Sequence, residues 1–145
     1  MQDDRLRASL PHAVVRAFRV VNRTSNRLFK PLRLSAEQAH VLSVLWMAGP
    51  LTMGALQREL SLSSPTLTGA IDRMEAQQLV HRVASPDDAR AWLLEPSAGA
   101  ARKRKAIDAT IEQVDRTCFG ALTANERKEL ARLLAKVCAA VGTEE

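Results

Sequence analysis

The sequence predicts a mainly α-helical chain with one small β-hairpin, a compact middle segment and long helices on either side of it. Two patterns predict this. Apolar residues recur at three- and four-residue spacing along most of the chain, whereas strand-like runs occur at residues 79 to 84 and 91 to 94, on either side of the turn-forming Ser85-Pro86-Asp87-Asp88. The length of 145 residues, 46% of them hydrophobic, suits one globular domain with a real core and is short for two.

Val14, Phe18, Val21 and Leu28 mark a long first helix over about residues 6 to 29, with Pro11 bending or delaying its start. Ser35 with Gln38 is a capping box for a second helix, which carries Val41, Leu42 and Leu45 and stops at Gly49-Pro50. Thr52 caps a short third helix bearing Ala55, Leu56 and Leu60. After the link Ser61-Leu62-Ser63 a fourth helix begins near Ser64, with Pro65 in its first turn and Leu67, Ile71 and Met74 on one face. The hairpin follows directly. Ser97 is read as the cap of a long helix reaching residue 122, and Thr123 with Glu126 as the capping box of a last helix whose apolar face is Leu130, Leu134, Val137 and Val141.

Composition removes several classes of function. Aromatic residues are 3% of the chain and Tyr is absent, so a stacking platform for single strands is poorly supplied. No run approaches the length of a membrane span, and the opening MQDDRLR is unlike a secretory signal, so the expected location is the cytoplasm. His12, His40 and His81 are scattered and Cys118 and Cys138 stand far apart, which predicts no metal site and no disulfide framework. Cys118 continues the stripe Ile107, Ile111, Val114 and reads as apolar packing, with a thiol switch as the lesser alternative. No nucleophile with a base, no phosphate loop and no paired carboxylates appear, so neither an enzyme nor a cofactor is expected.

Two short helices joined tightly and followed by a hairpin form a winged helix-turn-helix, whose second helix can enter a major groove. Small hydroxyl residues at the start of that helix permit close approach to base edges and phosphates. Ser63, Ser64, Thr66 and Thr68, with Pro65 between them, meet that demand, and Arg73 and Arg82 are the candidates for phosphate contact. Read alone, Ser63 or Ser64 is simply a helix cap. Read alone, Asp87, Asp88 and Arg90 are the surface charge of a solvated turn.

In this order and spacing the chain resembles the MarR family of bacterial transcription regulators. The resemblance rests on residues 34 to 100, comprising Leu34-Ser35, Gln38, Val41-Leu42 and Leu45, then Leu51-Thr52, Leu56 and Leu60, then SSPTLTGAIDRMEAQQLVHR and the D-x-R of Asp88 and Arg90. It implies a dimeric winged-helix DNA-binding protein, commonly a repressor released by a small molecule, binding a palindromic operator. It further implies that Arg90 reaches a minor groove while Asp88 orients its guanidinium. The pattern departs from the family at Ala89 and Gly69, where a basic residue is common, at Gln57, where a small residue is usual, and at Pro96-Ser97-Ala98-Gly99-Ala100.

Residues 34 to 96 are accordingly expected to form the DNA-binding region, and residues 1 to 33 with 97 to 145 a helical dimerisation region. The terminal helices carry long apolar stripes that a homodimer would cover. Charge is unevenly placed, because residues 31 to 96 hold five basic groups against seven acids while residues 1 to 30 hold seven against two. That imbalance predicts modest, steeply salt-dependent affinity and keeps a protein-interaction module without DNA binding as the alternative. For a small aromatic or anionic effector the candidate residues are Arg16, Arg19 and His40. The stripe Arg16, Arg19, Arg23, Arg27 also reads as a solvated face or a DNA-backbone contact.

Overall fold

The computed structural model describes residues 2 to 141 and is helical apart from a two-stranded antiparallel sheet. The expected first helix is two helices, α1 (Gln2–Arg7) and α2 (Leu10–Phe29). The break has a local cause. Ser9 is extended and its hydroxyl accepts the His12 N–H, so α2 starts afresh with Pro11 in its first turn, where the missing proline N–H costs nothing.

A 3₁₀ turn (Lys30–Leu32) leads to α3 (Ala36–Ala48), opened by the expected capping box. Ser35 Oγ accepts the Gln38 N–H and Gln38 Oε1 accepts the Ser35 N–H, each at 3.1 Å. Gly49 ends α3 at φ 82°, a conformation that favours glycine. Thr52 caps α4 (Met53–Leu60) as expected. Ser61 then turns the chain at φ 51°, and the N–H groups of Ser61 and Leu62 return to the last carbonyls of α4 before α5 (Ser64–Ala76) begins.

The strands are β1 (Val80–Ala84) and β2 (Trp92–Pro96), paired from Val80 with Pro96 to Ala84 with Trp92. The second strand therefore starts one residue later and runs two residues further than its apolar run indicated. Leu51, just ahead of α4, adds an isolated bridge to β2 by exchanging backbone hydrogen bonds with Leu94. This pairing ties the wing to the helix-turn-helix.

Beyond the wing, the expected single helix is again two, α6 (Ala98–Ala101) and α7 (Arg104–Phe119). Ser97 does not cap with its side chain, because its Oγ is hydrogen-bonded to His81 Nδ1 at 3.0 Å. Thr123 and Glu126 form the expected capping box ahead of α8 (Ala124–Val141).

One core joins these pieces. Val41, Leu42, Leu45, Leu56, Leu67, Ile71, Met74 and Leu94 are fully buried with Ala100 and Ile107 of α6 and α7, and Phe29 of α2 closes the cluster. The wing region and the start of the C-terminal helices therefore share a core, and residues 34 to 96 are not a separate body. By contrast α8 buries none of its side chains, and Leu133, Leu134, Val137 and Val141 are exposed. No helix among the described residues is long and apolar enough to cross a membrane.

Candidate nucleic-acid interface

The second helix of the helix-turn-helix presents the surface that its sequence pattern predicts. Leu67, Ala70, Ile71 and Met74 are buried, which holds α5 against the core and leaves Ser63, Ser64, Pro65, Thr66, Thr68 and Arg73 exposed. Ser63 makes no side-chain bond to the helix backbone. Its hydroxyl instead pairs with that of Thr66 at 2.7 Å, so cap and recognition roles are divided differently from a simple N-cap. Both hydroxyls stay open to an incoming base edge or phosphate.

Arg82 is held by the chain itself. Its Nε donates to Glu75 Oε1 at 3.0 Å and its Nη2 lies 3.6 Å from Asp72 Oδ1, so β1 is pinned to the flank of α5. The arginine and these two acids of the reading head thus form a local cluster. Their first task is structural, and a phosphate would have to share Arg82 with both carboxylates.

At the wing tip the backbone is ordered by short polar links. The Ser85 N–H reaches Ala91 O at 3.0 Å, the Asp87 N–H reaches Ser85 Oγ at 3.3 Å, and the Ala91 N–H reaches Asp88 O at 3.0 Å. The Asp88 carboxylate accepts the backbone N–H of Arg90 at 2.9 Å. The expected orienting contact is therefore corrected: among the described residues no ion pair joins Asp88 to the Arg90 guanidinium, and the aspartate shapes the loop from which that side chain projects. Asp88 and Arg90 are both exposed.

His81 lies on the opposite side of the hairpin, with Nε2 2.7 Å from Glu95 Oε1. The sequence pattern alone does not assign this link. The cross-strand pairing of residues 81 and 95 is the signal that identifies it.

A cleft of about 440 Å³ opens between α2, α3 and α7, lined by Phe29, His40, Trp46, Met47, Arg104 and Ile111 among others. His40 is thus placed where an effector contact was expected of it. Arg16 and Arg19 are exposed on α2 and do not line the cleft, whose cation is Arg104, stacked 5.0 Å from the Trp46 ring centre. Sequence does not single out Arg104, which stands in a run of four basic residues, 102 to 105; Lys103 is also engaged, donating to Leu32 O at 2.8 Å. No group of three or more His, Cys, Asp or Glu among the described residues is placed to hold a metal ion.

The MarR family model matches residues 34 to 92, the span that holds α3 to α5, β1 and the wing loop. MgrA of Staphylococcus aureus, an HTH-type transcriptional regulator, is 32% identical to this chain over 91% of it and 89% of the relative. The chain belongs to the MarR family. This MarR-family protein is accordingly a winged-helix, DNA-binding transcription regulator and not an enzyme. A MarR variant from E. coli in complex with operator DNA superposes with a TM-score of 0.79 and 27% identity, covering 88% of this chain and 92% of that one. BpsR of Bordetella bronchiseptica, whose DNA binding is regulated by 6-hydroxynicotinic acid, shares the fold with a TM-score of 0.81 at 23% identity over 90% and 93% of the two chains.

Proposed function

We propose that this MarR-family chain acts in the cytoplasm as a homodimeric repressor of a palindromic operator, relieved by a small aromatic or anionic compound. The observation that carries the reading is the exposed hydroxyl face of α5 beside a wing tip bearing Arg90, both fixed to one core. Ser63, Ser64, Pro65, Thr66 and Thr68 meet base edges and nearby phosphates, Arg73 meets phosphate, Arg82 positions the wing and shares a phosphate, and Arg90 enters the minor groove from the loop that Asp88 shapes.

Residues 1 to 33 with 97 to 145 supply dimerisation and residues 34 to 96 read DNA. Supporting this division, α8 and the outer part of α2 carry exposed Val14, Phe18, Leu134 and Val137, an apolar surface that one protomer leaves uncovered. Two α5 helices related by a two-fold axis then face two half-sites. The relieving compound enters the cleft at His40 and Arg104, where Arg104 over Trp46 offers a cation beside an aromatic ring and Asp108 lines the same cleft.

Selection of duplexes from a random pool by the purified protein tests the reading. An inverted repeat is expected, bound by two protomers and weakening steeply as salt is raised. Recovery of no preferred sequence overturns it.

A further inference from the structure

Trp92 is the residue whose surroundings its exposure does not explain. It opens β2, two residues after Arg90, and is 58% exposed. Its cross-strand partner is Ala84, too small to cover an indole, and its ring N–H makes no hydrogen bond among the described residues. The other tryptophan, Trp46, is half-buried in the cleft under Arg104.

Strand alternation places Trp92 on a particular side of the wing. It shares a face with Leu94 and, through the register, with Arg82 and Val80. That face turns toward the core and α5, since Leu94 and Val80 are buried and Arg82 binds Glu75 and Asp72. The indole therefore continues the inner face outward, beyond buried Leu94, on the recognition-helix side of the hairpin. His81 and Glu95 occupy the other side.

We propose that Trp92 is a DNA contact of the wing, its indole lying against the deoxyribose wall of the minor groove beside Arg90. The inference rests on the DNA-binding reading above. The occupant is a duplex because the ring stands two residues from Arg90 where the wing loop enters β2, on the hairpin face that Arg82 ties to α5, and because the neighbouring cation, Arg90, forms no ion pair with Asp88. Sugars offer an indole an apolar surface at any sequence. The contact thus supplies affinity that neutralises no phosphate and is insensitive to salt.

The test uses the full chain and a fluorescein-labelled duplex selected by the unmodified protein. Trp92→Ala is expected to weaken binding roughly tenfold, the usual effect of removing one aromatic stacking partner, with the slope of log affinity against log salt unchanged. Trp92→Phe keeps most of the affinity, and the thermal melt of both variants stays near that of the parent. In a Trp46→Phe background Trp92 is the sole tryptophan, and its emission should be quenched and shielded from acrylamide when the duplex binds. Binding of the duplex with Trp92 emission and acrylamide access unchanged overturns the inference and leaves the DNA-binding reading intact. Failure of the unmodified protein to select any duplex overturns both.

Discussion

Asp88 shows how a single hydrogen bond changes what a charge is for. Its carboxylate holds the Arg90 N–H, so removing the acceptor loosens the loop, whereas removing only the charge does not. Asp88→Asn, which keeps the acceptor oxygen, should therefore bind DNA at least as tightly as the parent, and Asp88→Ala should bind more weakly. Equal gains for both variants in a titration at fixed salt would mean that the acid acts through its charge alone. Arg90→Ala should cost about 1 to 3 kcal/mol of specific binding while moving fold stability by no more than about 0.5 kcal/mol. Two glycines make a second contrast at this scale. A Cβ at Gly69 would meet only the flexible end of Arg73 at 3.5 Å, so Gly69→Ala should stabilise the helix by about 0.5 to 1 kcal/mol. A Cβ at Gly99 would lie 2.6 Å from the Gln78 carbonyl oxygen, and Gly99→Ala should destabilise by about 1 to 3 kcal/mol. Urea midpoints of the two variants check both signs.

Among the elements, α5 and the hairpin operate as one piece because Arg82 bridges them to Glu75 and Asp72. This explains how a reading head with more acids than bases can still face a polyanion. Two of its carboxylates are committed to Arg82, and among the described residues no ion pair engages Arg73 or Arg90. Arg73→Ala should lower the slope of log affinity against log salt by about one unit, the signature of one phosphate fewer being neutralised. An unchanged slope and affinity would remove Arg73 from the interface. On α8 the charges do something more local, since the Arg132 guanidinium hydrogen-bonds Glu129 and holds that carboxyl below the ordinary carboxylate range. Both side chains are exposed, and the pair is a surface feature of the helix.

For the whole molecule the decisive feature is an apolar surface without a partner in one chain. Leu134 is 44% and Val137 60% exposed on a helix that buries nothing. Replacing both with glutamate should give monomer or aggregate and abolish operator binding, as read by light scattering and by titration of labelled duplex. A stable monomer of the unmodified protein at micromolar concentration would contradict the dimer. The cleft between α2, α3 and α7 belongs to the same scale, because its walls come from helices far apart in the chain. A ligand there touches elements that share the core with α5.

What the sequence determined by itself was local. The capping boxes at Ser35 and Thr123, the cap at Thr52, the stop at Gly49 and the buried stripe of α5 depend on neighbours within four residues, and each appears where the pattern placed it. The family resemblance was legible for the same reason, being carried by the order of those local signals over residues 34 to 92. What only the tertiary structure decided involves residues far apart in the chain: the Leu51 to Leu94 bridge, the hold of Glu75 and Asp72 on Arg82, and Arg104 over Trp46. The helix breaks at residues 8 to 9 and 102 to 103 lie between these cases. The apolar stripes begin only beyond them, at Val14 and Ile107, and do not mark them, but Ser9 can cap α2, and Lys103 gains a distant partner in the Leu32 carbonyl. Sequence patterns report which face of an element is apolar; which polar groups find one another across the fold depends on how those faces pack, and packing brings together residues that no local spacing relates.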